Sequence, residues 1–453
     1  MIDAGITAAF IAAIVLLGLR GGRGGQGLPG YVLAGRTLTL PLFVGTLVPT
    51  FYGGVLGIGE FTWRSGLSNW LVMAFPYYIF AALYAFFLAG RVRLEGGLTI
   101  PDHLERAYGR PLAVFAAGLV FLLACPADEL LMVGTLLSRL SGWALPISMA
   151  AAGAAGLGLV LRGGLRSDVS ANRLQFVMMF GGFAVILPFA FMKLGGLGAL
   201  QAGLPPGHLT LAGGLRPLQI LGWWLLALWT LVDPSFHQRC AAAESPRVAR
   251  HGILISIGFW ALFDLMTTAA GLYARLAEPT LADPLLAFPV LADRLLPPVA
   301  RGLFFAGMSA SMFAALQGTA LLSAVSLGKD GLGRWAQASE EAQERWARAA
   351  LPVTGALAFA LALALPSVVG LWYCVGSVVI PGLLLPLLGV YYSRLRAPAP
   401  WALASSVGGS ALAALWLWRG AGVDPMFPGL GLAGALWAVG LYSRLRASAH
   451  RRP

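Results

Sequence analysis

The chain has 453 residues; 58% are hydrophobic and only 11% are charged, against about 25% charged in an ordinary soluble domain. A soluble globule cannot hide that much apolar surface and a disordered chain needs the opposite composition, so the sequence reads as an all-α, multi-pass membrane protein. The net charge of +12 would point to nucleic acid in a soluble chain; here it reads as Lys and Arg gathered on one side of a bilayer, with no nucleic-acid partner.

Apolar runs long enough to cross a bilayer predict thirteen spans, at about 2–19, 39–62, 68–90, 111–139, 143–161, 171–193, 216–236, 250–275, 299–328, 348–365, 367–393, 399–418 and 426–443. The opening MIDAGIT has no basic region and is read as the start of the first helix rather than a cleaved signal. With the N-terminus outside, 23 of the 31 Lys and Arg residues fall in inside loops, and the C-terminus is cytoplasmic. These loops hold Arg23 and Arg36, then Arg91 and Arg93, and at the far end Arg444 to Arg452. The polar stretch from Gly328 to Ala349 predicts a short cytoplasmic helix. The segment from Glu278 to Pro298 predicts a short helix lying on the outer side of the bundle.

The second span, within VGTLVPTFYGGVLGIGEFTWRSGLSNW (Val44 to Trp70), holds Pro49, Gly53, Gly54, Gly57 and Gly59. Proline removes a backbone donor and glycine weakens a helix. Unwound backbone at membrane depth belongs beside a cavity or inside protein, and transporters use such breaks to hold ions and substrate. The same glycines would equally serve close helix packing.

Acids inside spans are functional candidates by default. Asp128 and Glu129 in the fourth span and Asp264 in the eighth are the proton-site candidates; Glu60 lies in the second. The alternative is structural pairing with an arginine such as Arg64 or Arg139. Adjacent helical residues point about 100° apart, so Asp128 and Glu129 are not expected to face one site. Trp223, Trp224 and Trp229 on the seventh span and Trp372 and Tyr373 on the eleventh either line a pocket or form interface belts. Thr50, Gln317 and Thr319 are polar contact candidates, and Gly53, Gly54 and Gly57 offer backbone. The third span lacks the polar cluster a sugar would need.

Cys125, Cys240 and Cys374 are far apart and give no disulfide or zinc spacing. No phosphate-binding loop is present. GGRGGQG (Gly21 to Gly27) follows no strand and is not a dinucleotide fingerprint. The histidines have no metal spacing; His237 and His251 are read as solvated residues of one cytoplasmic loop. No enzyme is indicated.

Ordered motifs carry a family resemblance. YVLAGRTL (Tyr31 to Leu38) with the broken span and FTWRSGLSNW, then LTIPDHLERAYG, GGLRSDVSANRLQ, DPSFHQRCAAAESPRVAR, and GLFFAGMSASMFAALQGTALLSAVSLGKD up to Asp330 together resemble the sodium:solute symporters. The resemblance implies a leucine-transporter-like core of two inverted five-helix repeats over 39–396. An N-terminal helix and loop over 1–38 precede it and two C-terminal helices and a tail over 397–453 follow, all in one membrane domain. Spans 2 and 7 would be the central pair, although span 7 has no internal Gly or Pro to encode a break.

By the same resemblance, sodium would be held by carbonyls of Pro49, Tyr52 and Ser311 and by hydroxyls at positions 314 and 315. Those two positions are Ala314 and Ala315, and the family's acid before Gln175 is Asn172. The implied function is secondary active symport of a small organic solute with a cation across the cytoplasmic membrane, by alternating access. Sodium is the family default and no other cofactor is implied; proton-coupled or sodium-independent transport by the same fold is the alternative. A membrane sensor domain is the reading from another class, and it would be expected to carry a signalling module after residue 446. The solute, the coupling cation and the lipid bilayer are the expected partners.

Overall fold

Proline opens many of the helices and glycine closes several of them. The computed structural model describes residues 2–21, 27–420 and 422–449. Most of the Gly21 to Gly27 loop, with Arg23, and the tail with Arg451 and Arg452 lie outside the described residues, so that part of the charge tally is not placed. A proline in the first turn fills a position whose N–H has no helical partner, and a glycine past the last turn adopts the left-handed conformation other residues avoid. Gly142 (φ 74°) and Gly420 (φ 61°) are such stops.

In chain order, α1 (Ile2–Gly21) and the short α2 (Gly27–Leu33) precede α3 (Leu40–Phe51) and α4 (Val55–Ser65). A π-helical turn, Trp70–Ala74, leads into α5 (Phe75–Phe87), followed by α6 (Ala89–Glu95) and α7 (Ile100–Tyr108). Then come α8 (Arg110–Leu123), α9 (Ala127–Ser141), α10 (Leu145–Gly163), α11 (Leu165–Leu194) and α12 (Leu197–Gly203). The next stretch is three short pieces, α13 (Pro217–Leu226), α14 (Trp229–Val232) and α15 (Pro234–Ala242), before the long α16 (Pro246–Ala277). A short helix α17 (Ala287–Leu295) follows, then α18 (Pro298–Val325), α19 (Glu340–Ala364), α20 (Val368–Tyr391), α21 (Ala399–Arg419) and α22 (Met426–Ala449).

Among the described residues, eleven helices are long and apolar enough to cross a membrane, and the bent pair α3 and α4 makes twelve. The predicted seventh span, 216–236, falls on α13 to α15, none of which is long enough to cross alone. The predicted helix between Glu278 and Pro298 is present as α17. The predicted cytoplasmic helix over Gly328 to Ala349 is not a separate element. Its first part continues α18 as a π-helical segment, Ser326–Gly333, and its second is the start of α19.

At the centre, α11 and α18 pack backbone to backbone where Gly182 meets Gly307; a methyl group on Gly182 would fall 2.7 Å from the Gly307 Cα. Small residues permit such close crossings where lipid supplies no hydrophobic drive. α1 packs against this pair, and α21 and α22 pack on each other and on α20. Among the described residues the only extended pairing is a bridge between Leu38 and Ala243. Leu38 N–H donates to Ala242 O (3.0 Å) and Glu244 N–H donates to Leu38 O (3.0 Å). This clip joins the start of α3 to the end of α15.

Candidate substrate cavity

Three interrupted helices meet mid-bundle. The first break is the one the glycines predict: α3 ends at Phe51, α4 starts at Val55, and their axes differ by 52°. The second separates α8 from α9 at Ala124 to Pro126, where Pro126 cannot continue the helix. The third separates α14 from α15 at Asp233, whose carboxylate caps the new helix by accepting from Ser235 N–H (2.5 Å) and Phe236 N–H (3.4 Å). A further interruption at Ala227 and Leu228 divides α13 from α14.

Around these breaks lies a cavity of about 180 Å³. Thr50, Tyr52, Gly53 and Gly54 form one wall; Asp128 and Glu129, in the first turn of α9, form another; Trp229, Asp233, Asp264, Thr319 and Trp372 complete it, with Tyr77 and Tyr78 from α5. Among the described residues, no Lys, Arg or His lines it. Asp264 accepts from the hydroxyls of both Tyr52 and Tyr78, and the Thr267 hydroxyl is 3.0 Å from the Tyr52 oxygen. Trp372 Nε1–H donates to Asp128 Oδ2 (2.7 Å). Glu129 is 6% exposed and its Oε2 has no hydrogen-bond partner.

Several expectations change here. Asp128 and Glu129 both face the cavity, because α9 begins at its edge and the opening wraps the first turn. Among the described residues neither pairs with an arginine: Arg139 pairs with Asp293 (2.8 Å), while Glu60 does pair with Arg64 (3.2 Å). Of the substrate candidates, Thr50, Gly53, Gly54 and Trp229 line the cavity. Gly57 lies one turn along α4, against Val368 and Trp372. Trp223 and Tyr373 are not on the wall; their rings lie 6.1 Å apart, and Trp223 also meets Phe61. Gln317 is buried in α18 with both amide atoms unpartnered.

His237 is not solvated. It is buried in α15, between the hydroxyls of Tyr84 (2.9 Å) and Tyr391 (3.0 Å). Sequence reasoning also missed Tyr77, Tyr78 and Asp233. The Asp-Pro pair at 233–234, a helix-start signal, could have exposed the last.

The side chains fit the implied sodium site poorly. Sodium, a hard cation, takes oxygen ligands, as calcium and magnesium do. The methyl groups of Ala314 and Ala315 offer none, and Ala315 is pressed against the break: a methyl group on Gly53 would fall 2.0 Å from its β-carbon. The Ser311 hydroxyl donates to Met308 O (3.1 Å) and that of Thr319 to Ala315 O (2.7 Å), so their oxygens keep acceptor lone pairs but stand at other positions than 314 and 315. Nearby, the Arg239 guanidinium, 0% exposed, donates through Nη2 to Thr50 Oγ1 (3.0 Å) and to Asp168 Oδ2 (2.9 Å). It also closes on α18 at Gly318, where an added methyl would sit 3.1 Å from Nη2. Asp168 stands one turn before Asn172 on α11, so a carboxylate is present there but is taken up by a resident cation.

A model of the sodium:solute symporter family matches residues 31–409. The chain belongs to the sodium:solute symporter family. The match extends past Asp330, where the motif resemblance ends. High-affinity choline transporter 1 of Drosophila melanogaster is 26% identical over 400 residues, covering 80% of this chain and 62% of that protein. The sodium/pantothenate symporter of Escherichia coli (strain K12) is 29% identical over 255 residues, covering 52% of this chain and 51% of that protein. The chain thus spans between half and two thirds of the curated relatives it matches. A solved structure of a substrate-bound, outward-open Na+-coupled sialic acid symporter superposes with a TM-score of 0.84 at 13% identity, covering 98% of this chain and 97% of that one. The fold is therefore that of this symporter, with the leucine-transporter-like architecture.

Proposed function

We propose that this symporter-family chain is a secondary active transporter, moving a small organic solute across the cytoplasmic membrane by alternating access. The observation that carries the reading is the break between α3 and α4, which opens onto a cavity walled by two other broken helices. Interrupted helices around a midplane cavity let helix ends and main-chain groups face a passenger while the bundles move as bodies. We place the transport core at 39–396, the N-terminus outside and the C-terminus in the cytoplasm, on the loop-charge asymmetry.

A second reading concerns the coupling ion. Alanines at 314 and 315 and the neighbouring Arg239 favour transport that does not use sodium at the family position. Asp264, bonded to Tyr52 at the break, is then the proton candidate best placed to sense its geometry; Asp128 and Glu129 are the others. The test is uptake into proteoliposomes, with sodium replaced by potassium at fixed pH, followed by a pH series. Accumulation of a solute against its gradient is expected; its absence across a broad solute panel would remove the transport reading. Dependence on sodium would remove the sodium-independent reading, and a flat pH response the proton version.

A further inference from the structure

The charge and ring content of the cavity point to one class of solute. Asp128, Glu129, Asp233 and Asp264 all contribute to its wall, and among the described residues no basic side chain does. Arg239, behind the Thr50 hydroxyl, is ion-paired with Asp168 and interacts at longer range with Asp233. Three of the four carboxylates are occupied: Asp264 by two tyrosine hydroxyls, Asp128 by the Trp372 indole and Asp233 by the main chain of α15. Glu129 is different. It is more than nine-tenths buried and lines the cavity; its carboxyl lies beside that of Asp128 and the Thr319 hydroxyl, but its Oε2 has no hydrogen-bond partner. Among the described residues, no Lys or Arg forms an ion pair with any of the four.

We propose that this cavity takes a small organic cation, an amine or a quaternary ammonium, with its positive nitrogen at Glu129 and its alkyl groups against Trp229, Trp372 and Tyr77. Aromatic faces attract alkylammonium groups electrostatically, more strongly when the site is desolvated. A buried carboxylate lacking a counter-charge gains most from a ligand that brings one. An anionic solute would meet four acids and no base. A neutral polyol would leave the unpartnered carboxylate oxygen without a counter-charge. The proposal rests on the cavity being the place where the transported solute sits.

The test uses the whole 453-residue chain purified in detergent, with equilibrium binding of choline and ethanolamine measured at fixed ionic strength. The controls are pantothenate, an anion, and the neutral carbon isostere of choline. At least one cation is expected to bind; neither control should. Glu129→Gln should weaken cation binding by about tenfold or more, the scale of one lost charge contact, while Glu129→Asp retains most of it. Thermal unfolding of each variant shows whether it is folded. Binding of pantothenate or the isostere as tightly as the cations would overturn the proposal. So would failure of both cations to bind, or unchanged affinity in a folded Glu129→Gln protein. A cation that binds but is never accumulated by proteoliposomes would leave this proposal standing and remove the transport reading. Accumulation of an anionic or neutral solute would do the reverse.

Discussion

The Ala315 β-carbon occupies the space that a side chain at position 53 would need, only 2.0 Å from where a methyl group on Gly53 would lie. The break between α3 and α4 is thus tight against α18, and residue 53 must be glycine for the two to meet. Gly53→Ala is expected to destabilise the protein by about 1–3 kcal/mol, the usual range for overpacking, and to abolish uptake by forcing α3 away from α18. Thermal unfolding and uptake measure both effects. Gly53→Ala combined with Ala315→Gly should recover part of each loss.

Sodium should not stabilise this chain as a bound ligand would. A ligand specific for the folded state raises apparent stability by mass action. Unfolding midpoints in matched sodium and potassium chloride are therefore expected to coincide. A rise confined to sodium would show that main-chain oxygens and Thr319 are sufficient ligands by themselves.

The buried pair of Arg239 and Asp168 should respond asymmetrically to mutation. Removing one partner strands the other charge at a cost of about 3–5 kcal/mol. Asp168→Asn and Arg239→Met are each expected to lower folded yield and thermal stability sharply. The double variant Asp168→Leu with Arg239→Met should be more stable than the summed losses imply, since no charge is left unpaired.

At one end of the bundle, Asp102 in α7 accepts from Lys329 (2.6 Å) and Arg334 (2.6 Å). Burial pushes its carboxyl up, but these two cations outweigh burial and hold it well below the usual carboxylate range. A carboxyl depressed in the folded state contributes stability above its unfolded value, about 3.9, and loses it as pH falls toward the folded value. Unfolding temperatures measured as pH falls from about 5 through about 3.9 and lower should drop less steeply for Asp102→Asn than for the unaltered protein. The variant should also be less stable than the parent at neutral pH, because Lys329 and Arg334 lose a charged partner.

Much of the site was legible in residues that act locally. Pro49, Gly53 and Gly54 change the backbone where they stand, so the first break could be read directly from them. The division at Ala227 and Leu228 has no such residue; packing around α13 and α14 sets it, and no short-range pattern records that. Asp233 and Pro234 carry a helix-start signal, but the polar run after them reads as a solvated loop. The fold instead buries it as α15, with His237 between two tyrosines. The start of the polar stretch from Gly328 behaves similarly: Lys329 and Asp330 are buried and satisfied by ion pairs with each other and with Asp102 of α7, not by water. Asp128 and Glu129 show the limit of helical geometry, since a helix that begins at a cavity offers its whole first turn.

The bridge between Leu38 and the Ala242 to Glu244 stretch is made of main-chain atoms on both sides. No side-chain replacement can remove it, short of proline at Leu38 or Glu244. It fastens the chain entering α3, one half of the first broken helix, to the end of α15, the last piece of the third, so a shift of either past the other has to break main-chain hydrogen bonds.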